Sequence, residues 1–166
     1  MKTLLLLRHA KSSWKDDGLD DHDRPLNKRG KRDAPRMGVL IREKRLVPEL
    51  IVSSSARRAR KTAAKVHKES GCRRRIELSD ALYMAEPGAY LSVLRSLDRE
   101  YRRVLVVGHN PGLEQLVKLL TETDEPMPTA SLVVIELSIK SWSSLSKRSR
   151  GRLRKVYRPK DLDELE

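Results

Sequence analysis

Val104-Leu105-Val106-Val107-Gly108-His109-Asn110-Pro111-Gly112 runs from four branched aliphatic residues into a polar turn flanked by glycines. An unbroken apolar run of this length, without polar alternation, predicts a strand covered on both faces, as in the centre of a parallel sheet. Immediately beyond it, Leu113, Leu116, Val117 and Leu120 fall at i, i+3, i+4 and i+7, the apolar side of a helix. Asn110 is a candidate cap and Pro111 suits the first helical position. Residues 108–112 therefore read as a strand-to-helix junction, where free backbone N–H groups make a natural anion site.

The same grammar repeats in both directions. Leu4-Leu5-Leu6-Leu7 is a second buried run and ends in Arg8-His9. After a polar loop over 12–24 that holds five aspartates, a helix is expected from about Lys28 to Glu43. Asn27 is its candidate cap, Ala34, Met37 and Ile41 share one face, and Pro35 predicts a bend or a late start. Leu50–Ser53 is a short strand. It leads into a helix near Arg57–Ser70, with Ala59, Ala63 and Val66 at helical spacing and Gly71 as its stop. A minor strand is expected over 74–78. A further helix carries Tyr90, Leu91, Leu94 and Leu97, and Leu132–Leu137 is a last strand. Alternation of strands and helices with short connections predicts one domain over residues 1–166: a three-layer α/β/α sandwich with a central, mostly parallel sheet.

Composition bounds the rest. In 166 residues, 38% are hydrophobic and none is Phe, so the core must rest on Leu, Val, Ile and Ala. The formal net charge is +13, which favours polyanions and phosphorylated ligands but specifies no fold. Nine basic residues and no acid lie within residues 140–160, readable as a hairpin, a partner surface or a solvated edge. Cys72 is the sole cysteine, which excludes an intrachain disulfide. The four leucines at the start are too few for a signal core or a membrane span, so a cytoplasmic location with no membrane association is expected.

Three expected strand ends deliver polar groups: Arg8 and His9, Arg57 and Arg58, and His109. Ligands of open α/β sheets bind beyond the carboxyl ends of the strands, so these sequence-distant groups can converge. Their chemistry matches phosphate, because guanidinium forks grip nonbridging oxygens and an imidazole serves as donor or nucleophile.

With these blocks in view, the chain resembles the histidine phosphatase superfamily, the phosphoglycerate-mutase-like group, and within it the short phosphohistidine phosphatase branch. The resemblance rests on Leu4–Trp14 with its Arg8-His9, on Asp23-Arg24-Pro25-Leu26 with Arg29-Gly30, and on Arg58-Ala59-x-x-Thr62. Val106–Gly112 and Met127-Pro128-Thr129-Ala130 complete it. It implies a phosphoglycerate-mutase-like fold, His9 as nucleophile, and Arg8, Arg58 and His109 as phosphate-binding partners. Ala10 stands where the wider superfamily has glycine.

Related mutases and broad phosphatases also carry a carboxylate that protonates the leaving group. Here Asp80 is the positional candidate and Glu86 the next, and a site without such an acid is the third possibility. A phosphoramidate nitrogen leaves more readily than an alkoxide. The expected substrate is therefore a phosphohistidine-containing protein, with a small phosphorylated molecule as the alternative. From another class, a nonenzymatic basic module would bind nucleic acid or an acidic protein through 140–160, although no nucleic-acid-binding motif is present and no specific nucleic-acid binding is expected. No cofactor and no metal are expected, since the loop aspartates match no calcium-loop spacing. Lys11, Ser12, Ser13 and Trp14 are expected to shape the entrance.

Overall fold

The computed structural model describes residues 1–163. Six strands, β1 (Lys2–Arg8), β2 (Leu50–Ser54), β3 (Glu77–Ser79), β4 (Arg103–Gly108), β5 (Leu132–Leu137) and β6 (Gly151–Tyr157), form one sheet in the order β3-β2-β4-β1-β5-β6. The first four in that order run parallel, and β5 and β6 are antiparallel to their neighbours. Helices α1 (Lys28–Glu43), α2 (Arg57–Ser70), α3 (Pro87–Arg95), α4 (Gly112–Thr121) and α5 (Pro159–Asp163) complete the chain.

Why the central strands are continuously apolar follows from the pleat. Alternate side chains point to opposite faces, and both faces are covered. Leu4, Leu6, Val104 and Val106 meet Tyr90, Leu94, Leu113 and Leu116 of α3 and α4 in one core. Leu5, Leu7, Leu105 and Val107 meet Met37, Ile41, Ala59 and Val66 of α1 and α2 in the other. Burying each such Leu stabilises the fold by roughly 1.5–3 kcal/mol, and all four leucines of β1 are fully buried. The expected three-layer α/β/α architecture is the one observed.

Local expectations hold with instructive exceptions. Asn27 caps α1 by accepting from Gly30 N at 2.9 Å, and Gly71 ends α2 with φ 83°. Helix α1 begins at Lys28 with Pro35 inside it, so there is no late start. The minor strand lies at Glu77–Ser79 rather than 74–78, and α3 ends at Arg95, leaving Leu97 outside the helix. Helix α4 starts at Gly112, with Pro111 rather than Asn110 at the capping position. The basic stretch 140–160 contains a one-turn helix around the buried Trp142 and the edge strand β6. Among the described residues, no helix is long and apolar enough to cross a membrane.

Candidate active site

Sheet register brings the strand ends together. Arg8 lies opposite Gly108 across the parallel β1–β4 pair, and His9 N–H donates to the Gly108 carbonyl at 3.1 Å. The two histidines that follow are therefore neighbours, with ring centroids 5.1 Å apart, close to the strand spacing itself. Strand β2 flanks β4 on the other side, and Arg58 enters from the first turn of α2.

His9 is 6% exposed, and its Nδ1–H donates to the Ala10 carbonyl at 2.8 Å. A carbonyl only accepts, so this bond fixes the proton on Nδ1 and leaves the Nε2 lone pair free. Burial pushes the pKa of His9 down to about 3; nearby His109, Arg58 and Arg8 reinforce the shift and the Ala10 carbonyl opposes it. The ring is thus neutral at physiological pH, the state a nitrogen nucleophile needs. Ala10 N–H donates to Thr62 Oγ1 at 3.0 Å, and that hydroxyl donates to the Arg58 carbonyl at 2.7 Å. Thr62 thereby ties the histidine loop to the helix that carries Arg58.

His109 is 1% exposed, and burial pushes its pKa down to about 4, with Arg58 adding to the shift. Its Nε2 lies 2.8 Å from Ser54 Oγ, which already accepts from Ala56 N–H at 3.2 Å. The hydroxyl keeps one proton to give and one lone pair to accept with, so the contact fits a proton on either ring nitrogen of His109. The His109 Nδ1 is buried without a partner among the described residues, as are Arg8 Nε and Arg58 Nε. Unmade hydrogen bonds at buried polar atoms are costly, and three unpartnered nitrogens on groups flanking His9, two of them guanidinium donors, fit an anion with several oxygens.

A profile of the histidine phosphatase superfamily (branch 1) matches residues 4–86. The chain belongs to the histidine phosphatase superfamily. An uncharacterized protein of Mycobacterium tuberculosis is 32% identical over 143 residues, 80% of this chain and 87% of the relative. The protein assigned as phosphohistidine phosphatase SixA from Agrobacterium tumefaciens superposes with a TM-score of 0.79 at 30% identity, covering 95% of this chain and 98% of its own. Its counterpart from Nakamurella multipartitia gives 0.83 at 25% identity, over 95% and 96% of the two chains. This member of the superfamily thus shares the phosphoglycerate-mutase-like fold expected from its motifs.

The remaining family blocks have physical duties. A Cβ on Gly30 would lie 2.1 Å from the Lys11 carbonyl, and one on Gly112 would lie 2.0 Å from the Ala85 carbonyl. Only glycine allows the first contact, which seats the histidine loop on α1, and the second, which lets α4 start against the 3₁₀ turn region. Met127 O accepts from Arg8 Nη1 at 3.0 Å and from Asn110 Nδ2 at 2.9 Å. Asn110 also donates to Glu114 Oε2 at 2.6 Å, while its Oδ1, the atom a cap would use, has no partner among the described residues.

Sequence reasoning missed Asp21. Its Oδ2 accepts from Arg58 Nη2 at 3.0 Å and from the Tyr83 hydroxyl, its carbonyl accepts from Arg58 Nη1 at 2.7 Å, and its Oδ1 accepts from Arg24 Nε at 3.1 Å. The Tyr83 hydroxyl and the two arginines hold its carboxyl at a pKa of about 2. Nothing local separated Asp21 from the four other aspartates of its loop; only its partners, 37 and 62 residues away, do so. Ser54 and Tyr83 were missed for the same reason, and Tyr83 stands edge-on to His109 with centroids 5.7 Å apart.

The expected acids lie differently. Asp80 opens an exposed one-turn helix, and Glu86 is exposed just before α3; neither carboxylate makes a hydrogen bond or ion pair among the described residues. At the entrance, Trp14 is 69% exposed and stacks on Arg24, whose guanidinium carbon is 3.4 Å from the ring centroid. Ser12 pairs with Leu26 in an isolated bridge, Ser13 O accepts from Arg24, and Lys11 is exposed. Among the described residues, no three His, Cys, Asp or Glu side chains group to hold a metal ion.

Proposed function

We propose that this histidine phosphatase removes phosphoryl groups from phosphohistidine in proteins, without a metal, through a covalent intermediate on His9. The observation that carries the reading is the set of buried, unpartnered nitrogens on Arg8, Arg58 and His109 around a neutral His9 with a free Nε2. In the first step Nε2 attacks phosphorus in line, an N–P bond forms, and the substrate P–N bond breaks. Arg8, Arg58 and His109 stabilise the charge on the equatorial oxygens. The departing imidazole can take its proton on the distal ring nitrogen before the bond breaks, so no enzyme acid has to reach the reacting atom. Water then attacks phosphorus, inorganic phosphate leaves, and Nε2 recovers its lone pair.

The carboxylates support a phosphoramidate over an ester. Asp21 stays ionised far below neutrality and Glu114 Oε2 already accepts from Asn110 and Met127 N, so neither is poised as an acid for an alkoxide. The discriminating experiment compares a phosphohistidine peptide with a phenolic or sugar phosphate ester, in the presence of EDTA. Expected is peptide dephosphorylation that survives the chelator and vanishes in His9→Ala, with slow ester turnover. Fast ester hydrolysis that collapses in Asp80→Asn, with the peptide untouched, would instead assign a small-molecule phosphomonoesterase.

A further inference from the structure

Beside the phosphoryl site, a cleft of about 260 Å³ is lined by Pro25, Leu26, Lys31, Arg57, Lys61 and Lys65. Arg57, Lys61 and Lys65 repeat at i, i+4 and i+8 on α2, a row about 12 Å long on one helix face. The row begins at Arg57, in the same first turn of α2 that carries Arg58. Arg57 Nη1 donates to the Asp23 carbonyl at 3.4 Å, which fixes that end of the row to the loop carrying Asp21. Among the described residues, none of the four cations is within ion-pair distance of a carboxylate.

Some cations elsewhere are balanced by acids, although many others, Arg73, Arg75 and Arg148 among them, also have no carboxylate within ion-pair distance among the described residues. Arg29, Arg32 and Arg36 surround the buried Asp33, at 3.7, 3.2 and 3.4 Å. Arg150, Arg154 and Arg158 in the basic C-terminal stretch each pair with a glutamate. What sets this cleft apart is its composition and place: four cations without a carboxylate partner share one small cleft with Pro25 and Leu26, and the α2 row starts in the same helical turn as Arg58.

We propose that this cleft docks an acidic segment of the phosphoprotein substrate, with carboxylates on the α2 row and an apolar side chain against Pro25 and Leu26. The inference rests on the phosphohistidine reading and assigns its partner: a protein whose phosphorylated histidine has acidic residues about 10–15 Å away along the surface. A nucleic acid fits less well. The row is short, the floor is apolar, and the exposed aromatic nearby, Trp14, already has Arg24 over its ring. Charge arranged in this way chiefly raises the association rate and sets partner choice.

The test uses two phosphohistidine peptides of equal length, one with glutamates on both flanks and one with glutamines there, together with free phosphohistidine. The wild-type chain is expected to turn over the glutamate peptide with kcat/KM at least tenfold higher than the glutamine peptide. That preference disappears in a Lys61→Glu/Lys65→Glu variant and at high salt, while turnover of free phosphohistidine changes less than twofold. Equal turnover of the two peptides by the wild type overturns the docking cleft and leaves the proposed activity standing. If no phosphohistidine substrate is cleaved, the activity reading fails, and the cleft is judged by fluorescence anisotropy with the unphosphorylated glutamate peptide. Salt-sensitive binding lost in the double variant then supports it, and absence of binding overturns it. Preference for an oligonucleotide of equal charge over the peptide, abolished by the same variant, also overturns the assignment of partner.

Discussion

Two arginine-bearing regions of this chain differ in almost everything except charge. At the carboxyl ends of β1 and β2, Arg58 is 3% exposed and both Arg8 and Arg58 leave a buried Nε without a partner. Along β6 and its flanks, Arg150, Arg154 and Arg158 sit at the surface beside Glu122, Glu136 and Glu125. The second region is the denser in basic residues, yet its pairs to Glu122 and Glu136 are largely exposed ones that contribute little, and only Arg158–Glu125 is half-buried. The lesson is that the net charge of +13 does not locate function. Convergence locates it: Arg103 also leaves a buried Nε without a partner at the start of β4, but only at the carboxyl ends of the strands do several such nitrogens gather around one histidine.

That contrast can be broken at several points. The largest effect is expected at the two arginines of the site: Arg58→Ala or Arg8→Ala should lower kcat/KM for the phosphohistidine peptide by roughly 10²–10³-fold. An unchanged circular dichroism spectrum would show that the loss is chemical, and retention of activity within fivefold would dissolve the distinction. Next in size is the scaffold. Leu6→Ala, at a site fully buried between β1 and the α3–α4 layer, should destabilise the fold by about 2–5 kcal/mol in urea unfolding. A cost below about 1 kcal/mol would mean the strand end is not held by that core.

A smaller effect near neutrality is pH-dependent. Unfolded imidazoles titrate near 6.5, whereas the folded chain holds His9 down at about 3 and His109 at about 4. Between those values the unfolded state binds more protons, so stability is full above about pH 6.5 and is lost as pH falls toward 3. Tm measured from pH 7 to pH 4 should fall, the fall should be shallower in His9→Ala, and added inorganic phosphate should oppose it. An identical slope in His9→Ala would refute the burial account. Smallest of all, Arg154→Ala in β6 should change stability by no more than about 0.5 kcal/mol and leave turnover within twofold. A large effect there would return the basic edge to consideration as a functional surface.

How much of this was legible in the chain depended on range. Leu4–Leu7 and Val104–Val107 showed their two-sided burial because the pleat writes it residue by residue, and Asn27 showed its cap because Gly30 is only three positions away. His9, His109, Arg8 and Arg58 could be named because strand ends are local signals and the motifs around them are those of the superfamily. Asn110 misled because α4 starts only at Gly112 and the Asn110 amide is tied instead to Met127 O, 17 residues on. Strand β6 was obscured because Arg152, Arg154 and Lys155 occupy much of a sheet edge that needs few apolar residues. Asp21 was invisible because its importance lies wholly in Arg58 and Tyr83, which only the folded chain brings to it.

The most direct test is to trap the intermediate. Rapid acid-free quenching during turnover of a phosphohistidine substrate, followed by mass spectrometry, should find one acid-labile phosphoryl group on His9. It should be absent from His9→Ala and should accumulate when the second step is slowed. A phosphoryl group on any other residue, or undiminished turnover by His9→Ala, would contradict the account at its centre.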